Sequence, residues 1–465
     1  MIKIVTSCVF INEKKYVFDF IFREILGTNY FIIFTKKNGN NITKLILENG
    51  KIIFVKDIFF AIEEDLWLTS NNFPRKEIIK VKTPLILEKY IFDEYIPLLF
   101  IPRNFKSNDN WFFINKNNII IKVDIFGSVF FMLSRYEEFV SFKPDRHERY
   151  DSKHSIIIKN NLNLYPIVDT YISILKYFLK SKDPSLFFKK NKFNVNLSID
   201  FDRPFCYINT KVNIKTFLWF IKNKNFISSL EFLYYYLVKI IFRRDIYIIC
   251  LKKQLDKAKK FKFSVQVFVM NAKKDTHDSG YNPKNTTILK ILNYALKSGH
   301  SIGFHPSYNT FTDSCLYHEE KMGLESKLKI KIVSNRQHYL KMKIPYTWRQ
   351  YDYNNIEQDH SIGYHDNIGF RAGTSYRFRL YDLIQRKKLI VYENPLIIMD
   401  SGLLKCQNKR EFNLIFNNVL KIIDICKYYD GNFSFLWHNS SFNFEWRKWR
   451  SIYTLVLKYC NYIKN

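Results

Sequence analysis

Residues 195–205 read VNLSIDFDRPF. Val195, Leu197 and Ile199 alternate with polar neighbours, the run ends on Asp200 and Asp202, and Pro204 stops it. Period-two alternation closed by a proline predicts a buried strand whose C-terminal end presents two carboxylates. Strand C-termini are where barrels and open α/β sheets carry their chemistry. Two carboxylates this close repel unless a cation or a shared proton lies between them. A strand-end aspartate can equally cap the next turn, so the weight rests on what surrounds this stretch.

Downstream the same grammar repeats. KFSVQVFVMNAK (262–273) reads as a strand that runs into a polar loop with Lys273, Lys274, Asp275, His277 and Asp278. The helix TTILKILNYALKSG (286–299) ends at Gly299, the usual residue past a helix C-terminus. HSIGFHPSYNT (300–310) is a third strand and its loop, with His300 read as structural. A charged helix then leads to a turn carrying Arg336 and His338, and two short strands follow with Asp359, His360, His365, Asp366 and Arg371. LIVYENPLIIMDSGLL (389–404) reads as one strand ending on Asp400, and GNFSFLWHNSSF (431–442) as a last strand ending on His438 and Asn439. Strand, helix and strand in alternation predict a parallel sheet or barrel. The candidate polar groups gather at its C-terminal rim.

Between the central strand and its successor lies a long helical stretch, about residues 211–260. Its middle, FISSLEFLYYYLVKIIFRR (226–244), is apolar and aromatic with a basic end. Such a segment suits a membrane surface or a partner. A core or lid hairpin is the preferred reading, because Glu231 and Lys239 interrupt the apolar run.

Upstream, residues 1–125 read as short strands separated by Asn, Lys and Gly, an N-terminal β-rich α+β domain without a ligand constellation. Residues 126–194 form a helical connector. FGSVFFMLSRYEEF (126–139) has helical spacing with Arg135, Glu137 and Glu138 on its other face, and YPIVDTYISILKYFLK (165–180) is an amphipathic helix. Between them KPDRHERYDSKHS (143–155) carries Arg146, His147, Arg149, Asp151 and His154, read as an ion-paired loop against the next domain and alternatively as part of a site. Residues 195–465 complete the division as the barrel domain.

Composition sets limits. The chain has 465 residues, enough for two or three domains. Lys and Arg number 73 against 43 Asp and Glu, a formal charge of +30. Such an excess points to an anionic partner or to codon bias, and the latter is preferred because the lysines are spread among Asn and Ile rather than blocked. Nucleic acid is therefore not expected as a partner. Cys8, Cys206, Cys250, Cys315, Cys406, Cys426 and Cys460 are scattered and odd in number, which suits reduced thiols in a cytoplasm better than disulfides or structural zinc. No secretory leader opens the chain and no run of about 18 uncharged apolar residues is present, so the expected place is cytoplasmic, with peripheral contact at the inner face of a membrane left open. Neither a G-x-G-x-x-G nor a phosphate-loop pattern occurs, and no G-x-S-x-G elbow, which excludes the common nucleotide and serine-hydrolase readings.

The rim set supports metal-assisted hydrolysis. Asp202, His305 and Asn309 offer oxygen and imidazole ligands, the last two being four residues apart in one loop. Asp200 is then free as a base, His438 as an acid, Arg371 as the group orienting Asp200, and Asp400 as the carboxylate that holds the imidazole of His438. Tyr308, Trp348 and Trp437 are aromatic residues near the same rim and candidates for stacking on a substrate, with core packing equally open for Trp437.

At these residues the chain resembles the polysaccharide deacetylase family, the NodB-homology or carbohydrate esterase family four group. More closely it is similar to a two-domain bacterial branch with an uncharacterised N-terminal domain. SIDFD resembles the motif of base and metal aspartates, with one residue inserted between them; GHSIGFHPSYN (299–309) resembles the metal-histidine motif, with Asn309 in place of its second histidine. GFRAGTSY, around Arg371, is similar to the arginine motif and SFLWHN to the motif ending on the acid histidine. FGSVFFMLSRYEEF, YPIVDTY and RQHYLK resemble motifs of that branch. The resemblance implies a distorted (β/α) barrel holding a divalent metal, zinc first, with cobalt, nickel or manganese as alternatives. It implies hydrolysis of an acetyl group on an amino sugar of a cell-envelope polysaccharide or a lipid-linked precursor. With Asn309 a poorer ligand than histidine, a catalytically degenerate glycan-binding or envelope-assembly protein is the alternative.

Overall fold

The computed structural model describes residues 1–36, 41–405 and 412–464. The N-terminal part is built on strands β1 (Ile2–Ser7), β2 (Tyr30–Thr35), β3 (Ile42–Ile46), β4 (Ile52–Lys56), β5 (Ile79–Lys82), β6 (Tyr95–Leu98), β7 (Phe112–Ile114) and β8 (Asn118–Ile121). Six of them form one mixed sheet in the order β2-β1-β3-β4-β8-β7, and β5 pairs with β6 in a hairpin. β1 and β2 run parallel, so the chain must cross over between them, and it does so through the helix Ile11–Phe18.

The connector opens on Asp124, whose side chain caps the helix Ile125–Leu133 by accepting from the Gly127 amide at 2.7 Å. Its second oxygen accepts from the amides of Ile58 and Phe59 at 2.8 Å, which ties the helix start to the N-terminal sheet. Every residue of this helix is buried. The chain then turns at Arg135, φ 53°, and Arg135, Glu137 and Glu138 are buried as well rather than lying on a solvent face. The helix Ile167–Lys182 carries the chain on, packing Ile167, Tyr171, Ile174 and Phe178 inward as its periodicity predicts.

The second part is a curled nine-stranded sheet of β9 (Asn194–Phe201), β10 (Val265–Val269), β11 (Ser301–Phe304), β12 (Ser334–Asn335), β13 (Gln358–Asp359), β14 (Phe378–Asp382), β15 (Lys387–Glu393), β16 (Ile398–Met399) and β17 (Asn432–Leu436). The order is β14-β15-β13-β12-β11-β10-β9-β17-β16. All neighbours are parallel except β14 against β15. β9 therefore sits inside the sheet, two strands from one edge, with Phe268 of β10 opposite Asp200 and Leu436 of β17 opposite Ser198. The expected barrel is a curl whose two ends are not paired with each other. Gly299, φ 84°, closes the helix Thr286–Lys297, with the amide of His300 returning to the Ala295 carbonyl. His300 itself accepts from the Val265 amide at 3.1 Å. The segment 389–404 is not one strand: β15 ends at Glu393, Pro395 interrupts, β16 follows, and Asp400 begins a short helix.

An open sheet leaves an edge with unpaired amides, a liability unless it is covered. Here the N-terminal part covers it. Tyr16 donates to the Arg379 carbonyl at 2.6 Å, Glu13 receives Arg386 at 2.8 and 3.0 Å, and Tyr381 donates to Glu13 at 2.9 Å. Phe130 packs edge-on against Tyr381 with ring centroids 5.1 Å apart. One hydrophobic core runs through both parts.

Among the described residues no helix is long and apolar enough to cross a membrane. Cys8, Cys206, Cys250, Cys315, Cys426 and Cys460 are free thiols, and Cys406 lies outside the described residues.

Candidate metal and acid–base site

The strand ends converge on a cleft of about 280 Å³ lined by Asp200, Asp202, His338 and His438, with Arg146, His147 and Lys405 at its walls. A larger cleft of about 590 Å³ elsewhere on the molecule contains none of these strand-end groups. β9 delivers the two aspartates. Asp200 is its penultimate residue, and Asp202 stands one residue past its end, partly open to the cleft.

Asp202, His305 and His338 bring one ligand atom each to within 4.8 Å of one another. His305 follows β11, and its Nδ1 donates to the Arg336 carbonyl at 2.6 Å. A carbonyl only accepts, so Nδ1 carries the proton and Nε2 keeps its lone pair for the cleft. His338 is held alike: its Nδ1 lies 2.7 Å from Asp278 Oδ1, and its Nε2 faces Asp202 at 3.8 Å. Outer partners of this kind are what orient metal-binding imidazoles. His305 Nε2 and Asp202 Oδ1 are buried 3.0 Å apart, and neither has a hydrogen-bond partner. Buried polar atoms are rarely left unsatisfied, so an orphaned lone pair and an orphaned carboxylate oxygen facing each other mark a place for a cation. One carboxylate and two imidazoles also form the donor set of an open divalent-metal site.

His338 rests on an unusual turn. Tyr339 and Leu340, which follow it, both have positive φ, 58° and 53°. Non-glycine residues pay conformational strain there, and such strain persists only where surrounding contacts fix it. Arg149 supplies one: its Nη1 donates to the Tyr339 carbonyl at 2.9 Å while its Nε and Nη2 grip Asp145 at 2.9 and 2.6 Å. The charged segment 143–155 is thus an ion-paired loop and a wall of the cleft at once.

Asp200 and His438 flank the triad. Asp200 Oδ2 is 3.9 Å from His305 Nε2, and its Oδ1 receives Arg336 Nη1 at 3.1 Å. His438 Nδ1 lies 2.9 Å from Asp400 Oδ1, and its Nε2 is 3.5 Å from Asp202 Oδ2. Burial alone would lower the His438 pKa, but Asp400, Asp202 and Asp200 outweigh it and raise it to about 10. Burial likewise pushes the Asp202 carboxyl up, and the imidazoles of His305, His338 and His438 overcome it and hold the group well below the usual carboxylate range. Asp400 is lowered in the same way, burial being outweighed by His438.

Four expectations are corrected by placement. Asn309 is exposed and donates to Asp275 at 3.1 Å, because the loop ahead of it is tied down by Glu320 to the Ser307 amide and by Asp278 to the Tyr308 amide. His338 stands beside Asp202 and His305 instead. Arg371 does not reach Asp200: it pairs with Glu138 through two bonds of 2.8 Å, and Arg336 takes the place beside Asp200. Arg135 reaches the same Glu138 at 2.7 Å, and the two guanidiniums overcome burial to lower its pKa to about 2. Trp348 is 0% exposed, a core residue rather than a sugar platform. Tyr308 stands behind the cleft wall, stacked on His277 with ring centroids 3.9 Å apart. Trp437 is core as well, its indole donating to the Ser441 carbonyl at 2.8 Å. The sequence alone assigns no role to Asp278, Arg336 or His338. The signal for the latter two was RQHYLK following a short strand, the same strand-end placement that singled out the others.

A model of a family of unknown function, DUF7033, matches residues 2–184. No curated protein matches the chain. Among solved structures it is similar to one described as a "putative polysaccharide deacetylase" from Mycobacterium smegmatis, at 11% identity and a TM-score of 0.36, over 59% of this chain and 85% of that one.

Proposed function

We propose that this protein is a metal-dependent hydrolase that removes an acetyl group from an amino sugar of a cell-envelope polysaccharide or its precursor. The observation that carries the reading is the meeting, in one cleft, of an Asp–His–His donor set with a second carboxylate and a carboxylate-held histidine. The choice of an acetylated sugar rests on the motif resemblance around Asp200, His305 and His438.

Asp202, His305 and His338 would hold the divalent cation. Bound there, it supplies Lewis acidity toward an acyl carbonyl and a water. Asp200 takes the proton of the attacking water on its carboxylate, while Arg336 keeps that carboxylate turned to the cleft. As the carbon–nitrogen bond breaks, His438 gives its Nε2 proton to the departing nitrogen, and Asp400 keeps Nδ1 engaged so that Nε2 is the donor. Asn309 in a ligand's place favours the non-catalytic alternative, and the nearness of His338 to Asp202 and His305 supports the metal reading against it.

The test is acetate release from N-acetylated oligosaccharides and cell-wall fragments by the full chain loaded with zinc, cobalt, nickel or manganese. Asp200→Asn and His438→Ala are each expected to lower the rate by about 10²–10⁴-fold while the metal stays bound. Activity unaltered in both variants would overturn the assignment of base and acid. No acetate with any metal and substrate would favour a binding protein.

A further inference from the structure

Strand β9 leads directly into the helices Thr210–Lys222 and Phe226–Phe242, which form a hairpin held to the body by a small core of its own: Tyr207, Phe220, Phe232, Ile246, Cys250 and Phe444. The sequence favoured a core or lid hairpin because Glu231 and Lys239 break the apolar run. The structure turns both inward. Glu231 accepts from the Phe444 amide at 2.8 Å, and Lys239 donates to the Tyr207 carbonyl and lies 3.9 Å from Asp245. The face left outward is uncharged: Phe226, Ile227, Leu230, Tyr234, Leu237 and Ile241 recur at helical spacing and are 55–68% exposed. Leu218 and Trp219 of the preceding helix, 55% and 47% exposed, extend it. Soluble surfaces rarely leave apolar patches of this extent uncovered.

Charge identifies what covers it. Arg243 and Arg244 follow the end of the second helix and are exposed. At the root of the hairpin, beside Tyr235, opens the cleft of about 590 Å³, whose charged lining residues are Lys253, Lys257, Arg450 and Lys458. No carboxylate lines it. None of the four makes an ion pair with a described residue. An apolar helical face beside uncompensated cations is the arrangement of an interfacial membrane helix. Among the described residues no helix is long and apolar enough to cross a membrane, so a lipid-facing helix Phe226–Phe242 would lie along the surface rather than span it.

We infer that the hairpin 210–242 docks this protein on an anionic lipid surface, its apolar face in the acyl boundary and the Lys253–Arg450 cleft on the phosphates. The hairpin begins at Thr210, eight residues past Asp202, so docking would tether the strand that carries the candidate catalytic cleft to the membrane. The inference stands whether or not that cleft hydrolyses an acetyl group.

The test is co-sedimentation of the full chain with sucrose-loaded vesicles of phosphatidylcholine mixed with phosphatidylglycerol, against phosphatidylcholine alone. The wild type is expected to bind the anionic vesicles at least about tenfold better than the neutral ones. Leu230→Glu with Leu237→Glu, and separately Lys253→Glu with Arg450→Glu, are each expected to weaken binding about tenfold or more with the melting temperature unchanged. No binding by the wild type, or equal binding by both double variants, overturns the inference. So does a dimer in sedimentation velocity that Leu230→Glu converts to monomer, since a second copy would then be the occupant.

Discussion

Removing the charge of Asp278 should weaken metal binding although Asp278 touches no metal. Its Oδ1 accepts the Nδ1 proton of His338 at 2.7 Å, which fixes the tautomer and aims the Nε2 lone pair at Asp202. Asparagine keeps the volume but removes the charge and one of two acceptor oxygens, while the Tyr308 amide at 3.1–3.2 Å competes for the other. Loss of such an outer carboxylate costs about 10–100-fold in affinity, or about 1.4–2.8 kcal/mol at about 1.4 kcal/mol per tenfold. His338→Ala removes a ligand outright and should cost more. Asn309→Ala, on an exposed side chain bonded only to Asp275, should stay within about 0.5 kcal/mol of the wild type. The assay is titration of metal-free protein with zinc in competition with a chromophoric chelator. Asn309→Ala weakening zinc as much as His338→Ala, or Asp278→Asn leaving it unmoved, would refute the triad.

Glu138→Gln leaves the buried guanidiniums of Arg135 and Arg371 without their carboxylate and should cost about 3–5 kcal/mol in chemical denaturation; a loss under about 1 kcal/mol would show that the pairs carry little. His438, raised to about 10 chiefly by Asp400, remains an acid through neutral pH, and activity should fall as pH rises through its pKa. A cation beside Asp202 removes part of that support and brings the fall below 10. Asp400→Asn should move the alkaline limb down by a further 1–3 units or so, and an unmoved limb would remove His438 as the acid. In stability the sign is the same. A raised histidine pKa contributes fully below its unfolded value of about 6.5, and the contribution is lost as pH rises through the folded one.

The sequence made β9, β10, β11 and β17 legible because each has enough residues to show a period, and each ended on groups that converge. β12 and β13 have two residues each and show none, so Arg336 and His338 could be seen but not placed. Arg371 was misassigned because its partner, Glu138, lies 233 residues away, and no local pattern encodes such a pairing. Asn309 was misassigned for the opposite reason. Its spacing from His305 suggests convergence, but hydrogen bonds from the intervening Ser307 and Tyr308 amides to Glu320 and Asp278 set the direction of the loop. In the hairpin, Glu231 and Lys239 looked like interruptions only until the helix showed which way each points.

Arg149 belongs to the segment that the N-terminal family model matches, yet it holds the Tyr339 carbonyl and with it the turn that carries His338. The two parts are therefore joined at the candidate site as well as through their shared core. The nine-stranded sheet alone would keep every candidate ligand but lose the brace on the turn that carries His338. A chimera that joins this sheet to a foreign N-terminal part is expected to hold His338 in place only where the newcomer brings its own donor to the Tyr339 carbonyl.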